Sequence, residues 1–290
     1  MEYESTLYSA AGAIATITMN RPQKMNILGG SMLRDIVAGI DEANADDDVK
    51  VIVLRGAGRS FCAGFDFSQT GRPGQAGSTI GQWDPGMQIA RGGTPMTALS
   101  APWRSPKPVI AQVHGYCVGG GCDLALSCDL VVAANDARIG IPYARVWGAN
   151  LNGMMIYRLG LTRAKGLMLT GEPVDGKTAA EIGLINEAVP GPELEGAVQR
   201  WATKLSRIPI TQLAVMKLII NQAYDNMGLH STQLLGPILD NLMRHTPEGL
   251  DFVRTAFEGG VKAAVTGRDG SFGDYSQAPE EQKPHWHPDL

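Results

Sequence analysis

The stretch PVIAQVHGYCVGGGCDL, residues 108–124, carries the most informative pattern in this chain. Its first half is a β-branched run that predicts a buried strand, and a helix is predicted to begin near Cys122. Gly119, Gly120 and Gly121 lie between them and let the backbone turn sharply and approach a ligand closely. The glycines are equally compatible with a structural role, in which they only let the strand pack tightly against the helix.

A second glycine turn, SFCAGFDF at residues 60–67, follows the apolar run Val51–Leu54, which predicts another buried strand. Two such turns side by side in one sheet can direct two backbone N–H groups at one oxygen atom. At the triple glycine, the unpaired N–H groups and the partial positive charge of the helix N-terminus would also stabilise an anion. The pair of turns therefore predicts an oxyanion hole, and with it chemistry at a polarised carbonyl.

The composition argues against several classes of function. The 290 residues are 44% hydrophobic, enough for a sizeable core, and 19% charged. That charged fraction is below the roughly 25% of an average protein, which indicates that a partner subunit covers part of the surface. With a net charge of −4 and no basic run, the chain is not expected to bind nucleic acid. No apolar run approaches the roughly 18 residues of a membrane helix, and the N-terminus does not resemble a signal peptide. We therefore expect a cytoplasmic protein that does not associate with membranes.

Several common cofactor and catalytic motifs are missing from the sequence. Gly56-Ala57-Gly58 follows a strand but lacks the third glycine of a dinucleotide fingerprint. The chain contains no GxxxxGKS or GxxxxGKT, no GxSxG and no HExxH. The cysteines form no CxxC pair, so they predict small buried hydrophobic side chains rather than a zinc site; they are Cys62, Cys117, Cys122 and Cys128. We therefore predict no metal site.

Hydrophobic periodicity predicts an α/β core followed by a helical C-terminal part. The predicted strands are two short segments within 5–19, then 51–54, 109–113, 130–134 and 185–189. The predicted helices are 28–45, 120–128, 153–170 with a break near Gly160, 178–182, 192–206, 209–224, 228–244 and 247–257. Residues 1–200 are assigned to the core and 201–290 to the helical region. Residues 68–104, rich in Gly, Pro, Ser and Thr, predict a binding segment with a short helix.

Several motifs together resemble the enoyl-CoA hydratase/isomerase (crotonase) superfamily. Residues 107–148, KPVIAQVHGYCVGGGCDLALSCDLVVAANDARIGIPYARVWG, resemble its signature region, and SFCAGFDF resembles its F-C-A-G-x-D motif. Upstream, residues 20–28 resemble the N-R-P…N-A-L segment. Downstream, residues 169–171 and 179–185 resemble the L-T-G…A-x-x-x-G-L-V stretch. The similarity runs in the family order from about residue 4 to residue 257.

The resemblance implies a spiral of ββα units followed by C-terminal helices that build homotrimers, often paired into hexamers. It implies an acyl-CoA thioester as the substrate, with no further cofactor. The oxyanion-hole N–H groups would belong to Phe65 and Gly120. Lys24 is open to two interpretations, a phosphate partner or a solvated surface lysine, and Trp147 would be a pocket wall or face the trimer. The residues that the resemblance assigns to substrate binding are Lys24, Met25, Ala63, Gly64, Phe65, Asp66, Phe67, Gly119, Gly120 and Trp147.

The acid–base residues depart from the family pattern. Family hydratases carry two glutamates, and the matching positions here hold Asp123 and Tyr143. Aspartate is shorter by about 1.5 Å, one carbon–carbon bond, and resembles the dienoyl-CoA isomerase branch of the family. A phenol with a pKa of about 10 is a poor general base near neutral pH, so Tyr143 would donate a proton, orient water or form a pocket wall. No Asp or Glu lies within residues 137–160, and the further isomerase carboxylate is matched only by Asn150 and Asn152.

The favoured function is therefore an enoyl-CoA hydratase-like reaction, in which an enolate is stabilised by the two N–H groups and Asp123 transfers protons. A double-bond isomerase or another enolate reaction, such as decarboxylation or carbon–carbon cleavage, needs only one carboxylate and stays open. A third hypothesis is an acyl-CoA-binding protein with little turnover. His114 is interpreted as a buried structural histidine bonded to backbone.

Overall fold

The computed structural model describes residues 3–67, 84, 86, 87, 96–145, 148, 149 and 152–273. Trp147 and most of the predicted binding segment 68–104 lie outside these residues. Within them, the strands form a six-stranded sheet of order β1-β2-β3-β4-β6-β9 and a three-stranded sheet of order β5-β7-β8. The strands are β1 Thr6–Ala11, β2 Ile14–Met19, β3 Val51–Gly56, β4 Val109–Val113, β5 Tyr116–Val118, β6 Leu130–Ala134, β7 Arg138–Gly140, β8 Val174–Asp175 and β9 Glu187–Val189.

The large sheet brings the two glycine turns to one edge. β1 and β2 form an antiparallel pair, whereas β2, β3, β4, β6 and β9 run parallel to one another. β3 and β4 are direct neighbours, with Ile52 opposite Val109. Because parallel strands end at the same edge of a sheet, the chain after β3 and the chain after β4 emerge side by side. The predicted adjacency of the two strands is confirmed.

The small sheet completes a repeated ββα arrangement. After β4 the chain enters β5 of the small sheet and then a helix, and after β6 it enters β7 in the same way. β5 and β7 are parallel neighbours, so the residues that follow them lie near each other. The sequence analysis did not predict the strands of the small sheet, because runs of two or three residues are too short to show an alternating pattern.

The helices follow the predicted order closely. The break near Gly160 is confirmed, because Gly160 has a φ of +73° between two consecutive helices. The last helix, Val261–Asp269, was not predicted. The helices of the described residues are α1 Met32–Ala45, α2 Met96–Leu99, α3 Ala101–Arg104, α4 Gly120–Leu126, α5 Met154–Leu159, α6 Leu161–Thr170, α7 Gly176–Glu181, α8 Leu194–Ser206, α9 Ile210–Asn226, α10 Leu229–Arg244, α11 Pro247–Gly259 and α12 Val261–Asp269, with 3₁₀ turns at Pro22–Lys24, Pro142–Arg145 and Gly191–Glu193.

Both faces of the large sheet are buried, which explains why its central strands are nearly continuous apolar runs. One face packs on a cluster that includes α1 and α4, and the other is covered by α8 through Leu194, Ala197 and Val198. Since α8 packs directly on the sheet and runs through residue 200, the predicted boundary falls inside a helix. The division into a core of residues 1–200 and a helical region stays a prediction.

The C-terminal helices are fixed to the core by a buried cation. Lys217 Nζ of α9 lies 2.7 Å from Asp129 Oδ2 and donates to the carbonyl oxygens of Pro102 and Lys107. Helices α9 and α10 also expose many large apolar side chains, as a subunit interface would; these include Met216, Leu218, Ile219, Leu234, Leu235, Leu239 and Leu242. The predicted trimer stays a prediction. Among the described residues, no helix is long and apolar enough to cross a membrane.

Candidate active site

Main-chain hydrogen bonds join the first glycine turn to its neighbours on both sides. On one side, Leu28 N–H donates to Gly64 O at 2.7 Å and Ala63 N–H donates to Met25 O at 3.0 Å. On the other side, Val118 N–H donates to Cys62 O at 3.0 Å. The turn after β3 is therefore held between the 25–28 segment and β5, which leads into the triple glycine.

The glycines allow an approach that no other residue would permit. A Cβ atom on Gly120 would lie 2.6 Å from the Phe65 ring, and one on Gly121 would lie 2.5 Å from Cys62 O. Gly64 and Gly119 also have positive φ angles, 101° and 56°, which suit glycine. The tight-packing role of these glycines is thus observed, and it is the means by which the two turns are brought together.

The packing leaves two amide groups without protein acceptors. Within the described residues, neither Phe65 N–H nor Gly120 N–H donates a hydrogen bond, although Asp66 N–H is bonded to Leu28 O and Gly119 N–H to Gly140 O. The two turns are close, because a Cβ on Gly64 would lie 3.9 Å from Gly120 N. Gly120 also begins α4, so its amide lies at the partially positive end of that helix. Two adjacent unpaired amides are what the binding of one oxyanion requires.

A buried carboxyl group lies beside the triple glycine. Asp123 is in the first turn of α4 and is fully buried. Its Oδ2 accepts a hydrogen bond of 3.0 Å from the Tyr143 hydroxyl, and no described residue donates to its Oδ1. Tyr143 reaches it because the 3₁₀ turn Pro142–Arg145 follows β7, the parallel neighbour of β5. The ring also lies against Gly119, where an added Cβ would be 3.6 Å from Tyr143 Cε1.

Burial determines how these two groups titrate. It raises the pKa of Asp123 to about 7, an effect that the Tyr143 hydrogen bond opposes and the charge of Asp240 reinforces. Burial, together with the charge of Asp123, also raises the pKa of Tyr143 well above its usual value. The phenol therefore stays protonated near neutral pH and donates to Asp123, whereas Asp123 titrates in that range. Tyr143 is thus a poor general base there, and the assignment of proton transfer to Asp123 stays a prediction.

Asn152, one of the two asparagines near the predicted position of the further isomerase carboxylate, holds the main chain. Its buried side-chain amide donates to Asp123 O at 2.7 Å and to Ser127 Oγ at 3.0 Å. Its Oδ1 accepts from Met154 N–H. Asn152 therefore holds the main chain of α4 and the residue that follows it. Asn150 lies outside the described residues.

The upstream binding segment is held in an unusual backbone conformation. Met25 and Asn26 both have positive φ angles, 50° and 54°, which is uncommon for residues other than glycine. The buried Asn26 side chain compensates, because it donates to Ala57 O and Ser60 O at 2.8 Å each. Lys24 is exposed at the end of the preceding 3₁₀ turn. In the sequence, Asn26 is only part of the segment that resembles N-R-P…N-A-L, and that resemblance implies no role for its side chain.

The end of the first turn faces the C-terminal helices. The Phe67 ring meets the Phe252 ring of α11 edge-on at 5.8 Å between centroids. The Asp66 side chain packs against Gly29, where a Cβ would lie 2.5 Å from Asp66 Cβ. The structure thus brings the predicted binding residues of both turns together with Met25, while Trp147 lies outside the described residues.

The sequence analysis missed one carboxylate near this site. Asp240 of α10 is buried, accepts a 3.0 Å hydrogen bond from Ala149 N–H through Oδ1, and pairs through Oδ2 with Arg244 at 2.7 Å. A Cβ on Gly148 would lie 2.6 Å from Asp240 Oδ1 and 3.6 Å from Tyr143 Cδ1. The only signal in the sequence was an aspartate within the apolar run Leu234–Met243, with an arginine four residues later.

The cysteines and His114 lie in surroundings typical of residues with a structural role. The cysteines are free and buried, and burial raises the pKa of Cys62 to about 12, so its thiolate is not available at neutral pH. His114 is bonded to backbone as predicted, through a 2.8 Å contact between Nε2 and Gly58 O, but it is only half-buried. Among the described residues, no group of three His, Cys, Asp or Glu side chains could hold a metal ion.

Known proteins resemble this chain in sequence and in fold. Residues 9–246 match the family model for enoyl-CoA hydratase/isomerase. The crystal structure of an enoyl-CoA hydratase from Mycobacterium smegmatis has a TM-score of 0.89 at 36% identity, with 97% of this chain and 98% of that chain covered. An enoyl-CoA hydratase/isomerase from Xanthobacter autotrophicus Py2 has a TM-score of 0.79 at 30% identity, covering 93% and 99%. The (E)-benzylidenesuccinyl-CoA hydratase of Thauera aromatica is 32% identical over 240 residues, 81% of this chain and 89% of that protein.

The fold is thus that of the crotonase class, an α/β core with a helical C-terminal region, as the sequence predicted. The chain belongs to the enoyl-CoA hydratase/isomerase family. Its members named here are described as hydratases or hydratase/isomerases, so the family leaves more than one reaction possible for this chain.

Proposed function

We propose that this protein binds an acyl-CoA thioester and adds water across the C2–C3 double bond of a 2-enoyl group, or removes it. The observation that carries this proposal is the placement of two unpaired amides, Phe65 N–H and Gly120 N–H, beside a buried carboxyl group with a free oxygen, Asp123 Oδ1. The thioester oxygen would accept from both amides. Each such donor contributes about 3 kcal/mol to the transition state in other enzymes.

Proton transfer is assigned to Asp123 alone. As the water oxygen bonds to Cβ, one water proton passes to the Asp123 carboxylate and the electron pair of the double bond moves onto the thioester oxygen. Protonated Asp123 then gives a proton to Cα as the enolate collapses, which regenerates the carboxylate. A pKa of about 7 suits this cycle, because both protonation states are populated near neutral pH. The Tyr143 hydroxyl, which donates to Oδ2, would hold the carboxyl group in place.

A second candidate is the migration of a double bond, and the same single carboxyl group favours it. Isomerisation removes a proton from one carbon and returns it to another, and this needs no attacking water. The two enolate reactions differ only in whether a water molecule is activated at Cβ. Acyl-CoA binding with little turnover is the third candidate, since family membership does not require activity.

One experiment separates these candidates. The purified protein is given a panel of 2-enoyl-CoA thioesters that includes an aromatic one, chosen because a relative is named as a hydratase of (E)-benzylidenesuccinyl-CoA. Hydration lowers the absorbance of the conjugated thioester and adds the mass of one water to the product. Deuterium exchange at Cα without hydration would indicate an isomerase or another enolate reaction. Binding with neither change would indicate a protein without turnover.

The role of Asp123 is tested with a matched pair of variants. Asp123→Asn removes the proton acceptor while keeping nearly the same shape, and should lower kcat by about 10²–10⁴-fold. Asp136→Asn makes the same chemical change at an exposed position and should leave kcat unchanged. Full activity in Asp123→Asn would remove this residue from the mechanism.

A further inference from the structure

We propose that Asp240 is a positioning residue, which fixes the backbone that packs on Tyr143 and places a negative charge facing the Asp123–Tyr143 pair. The inference deepens the proposed function and rests on it, because Asp123 is taken as the group that transfers the proton. It assigns a role in the active site to α10, a helix that the sequence analysis connected only with subunit contacts.

The positioning role follows from the contacts of the Asp240 carboxylate. Oδ1 accepts the Ala149 N–H at 3.0 Å, and Oδ2 lies 2.7 Å from Arg244 Nη2. Gly148 lies between this carboxylate and the Tyr143 ring, with too little space for a side chain on the Asp240 side. The carboxylate therefore holds the main chain a few residues after Tyr143, at a point where that main chain packs against the ring.

The electrostatic role follows from burial and from the groups present. Two elements direct polar or charged groups towards Asp123. Tyr143 comes from the Pro142–Arg145 turn, and Asp240 with Arg244 comes from α10. Burial raises the pKa of Asp240, and the ion pair with Arg244 opposes this shift by favouring the ionised form. The negative charge of ionised Asp240 in turn raises the pKa of Asp123. The positive charge of Arg244 acts on Tyr143 in the opposite direction and lowers its pKa. Asp240 thus disfavours a second negative charge at Asp123.

The hydrogen bond and the charge of Asp240 can be separated experimentally. In Asp240→Asn the amide oxygen can still accept from Ala149 N–H, but the negative charge is gone. Asp251→Asn is the matched control, because Asp251 is an exposed aspartate of the next helix that pairs with Arg254 three residues later. Asp240→Glu keeps the charge and serves as the conservative variant.

The readout is the titration of Asp123 itself, measured by NMR on protein labelled with ¹³C at the aspartate carboxyl groups. The Asp123 signal is assigned by its absence in Asp123→Asn. Removing a negative charge lowers the pKa of a nearby carboxyl group, so the Asp123 midpoint should fall in Asp240→Asn, by an amount on the order of half a unit. The Asp123 midpoint should stay unchanged in Asp251→Asn, and in Asp240→Glu it should shift less than in Asp240→Asn.

The same shift should appear in the kinetics. In Asp240→Asn, the limb of the pH–rate profile that reports the pKa of Asp123 should move to lower pH by the same amount. Thermal unfolding identifies a variant that does not fold, in which case Asp240→Ser tests the same loss of charge with a smaller side chain. An unmoved Asp123 midpoint in a folded neutral variant would overturn the inference while leaving hydration intact. A moved midpoint in a protein that hydrates none of the thioesters would support the inference and overturn the proposed function instead.

Discussion

The candidate site has two parts, one formed by main-chain groups and the other by side chains. The proposed oxyanion side consists of main-chain amides, and its geometry comes from two glycine turns joined by backbone hydrogen bonds. The proposed proton-transfer side consists of side chains from distant parts of the chain, namely Asp123, Tyr143 and Asp240. Most substitutions keep a main-chain N–H group, and only proline removes it, but an added methyl group can displace it. A side chain is easily replaced, and its pKa depends on every charged group around it.

This difference has a consequence for how the family can vary. The oxyanion side is fixed by packing that tolerates almost no added volume, since a Cβ on Gly120 or Gly121 would overlap its neighbours. The proton-transfer side holds an aspartate and a tyrosine at the positions where family hydratases carry glutamates, and the fold is unchanged. Under the proposed function, substitutions on the proton-transfer side would alter the reaction most easily, while the amide pair proposed to bind the thioester oxygen would be kept.

After Asp123→Asn, the largest effect is expected from Gly120→Ala. The new Cβ would lie 2.6–2.9 Å from three atoms of the Phe65 ring, so the ring must shift. We expect this shift to displace the amides of the two turns from each other. Loss of one well-placed oxyanion donor should lower kcat by about 10²–10³-fold, with a much smaller change in KM. Steady-state kinetics on the best substrate of the panel measures this.

A matched glycine provides the control. Gly166 lies on the exposed surface of α6, and a Cβ there would meet no atom within 4 Å. Gly166→Ala should keep full activity and raise the free energy of unfolding by up to about 1 kcal/mol through helix propensity. Undiminished kcat in a folded Gly120→Ala variant would show that the amide pair does not act on the substrate.

The free energy of unfolding should depend on pH through Asp123. This dependence concerns the proton-transfer side, because main-chain amides do not titrate. The pKa of Asp123 is about 7 in the folded protein, against an ordinary value of 3.8. The folded state therefore binds this proton more tightly than the unfolded state. The contribution to stability is complete below pH 4 and is lost as the pH rises through about 7, by up to roughly 1.4 kcal/mol for each pH unit.

Asp123→Asn removes this titration, so the comparison of the two proteins isolates it. Between pH 5 and pH 8 the wild type should lose stability relative to Asp123→Asn, as measured by urea unfolding at each pH. The control variant Asp136→Asn should follow the wild type. Parallel curves for wild type and Asp123→Asn across this range would mean that Asp123 is ionised in the folded protein at all of these pH values.

The same contrast explains how much the sequence could predict. The meeting of the two glycine turns was predictable because each turn is contiguous in sequence, with an apolar strand followed by glycines, and because parallel neighbouring strands place such turns at one edge. The order of the helices was predictable from apolar periodicity. The break at Gly160 was predictable from a single residue that adopts a positive φ.

The proton-transfer side was predictable only in part, for a physical reason. Asp123 and Tyr143 were found because they lie within or just after the motif, but their hydrogen bond depends on the parallel pairing of β5 with β7, strands too short to leave a pattern. Asp240 could not be found by inspecting residues 137–160, because it comes from α10. Only the packing of that helix against Gly148 brings its carboxylate to the site.

The smallest expected effect on kcat comes from Tyr143→Phe. Its effect on the pKa of Asp123 should be opposite to that of Asp240→Asn. The Tyr143 hydroxyl donates to Asp123 Oδ2 and so lowers the pKa of Asp123, whereas the charge of Asp240 raises it. Removal of the hydroxyl should therefore move the pH–rate limb of Asp123 upward, opposite to the shift expected for Asp240→Asn. Because the phenol positions the carboxyl group and does not itself take up a proton, kcat should fall by only about tenfold, the worth of one hydrogen bond to a charged group.

The decisive comparison is between the two shifts measured under the same conditions. Opposite directions in Tyr143→Phe and Asp240→Asn would establish that the two side chains act on one titrating group from different elements of the fold. Shifts in the same direction would mean that each substitution acts by disturbing the backbone near Gly148, which contacts both side chains. A loss of kcat in Tyr143→Phe as large as that in Asp123→Asn would instead assign the tyrosine a direct part in proton transfer.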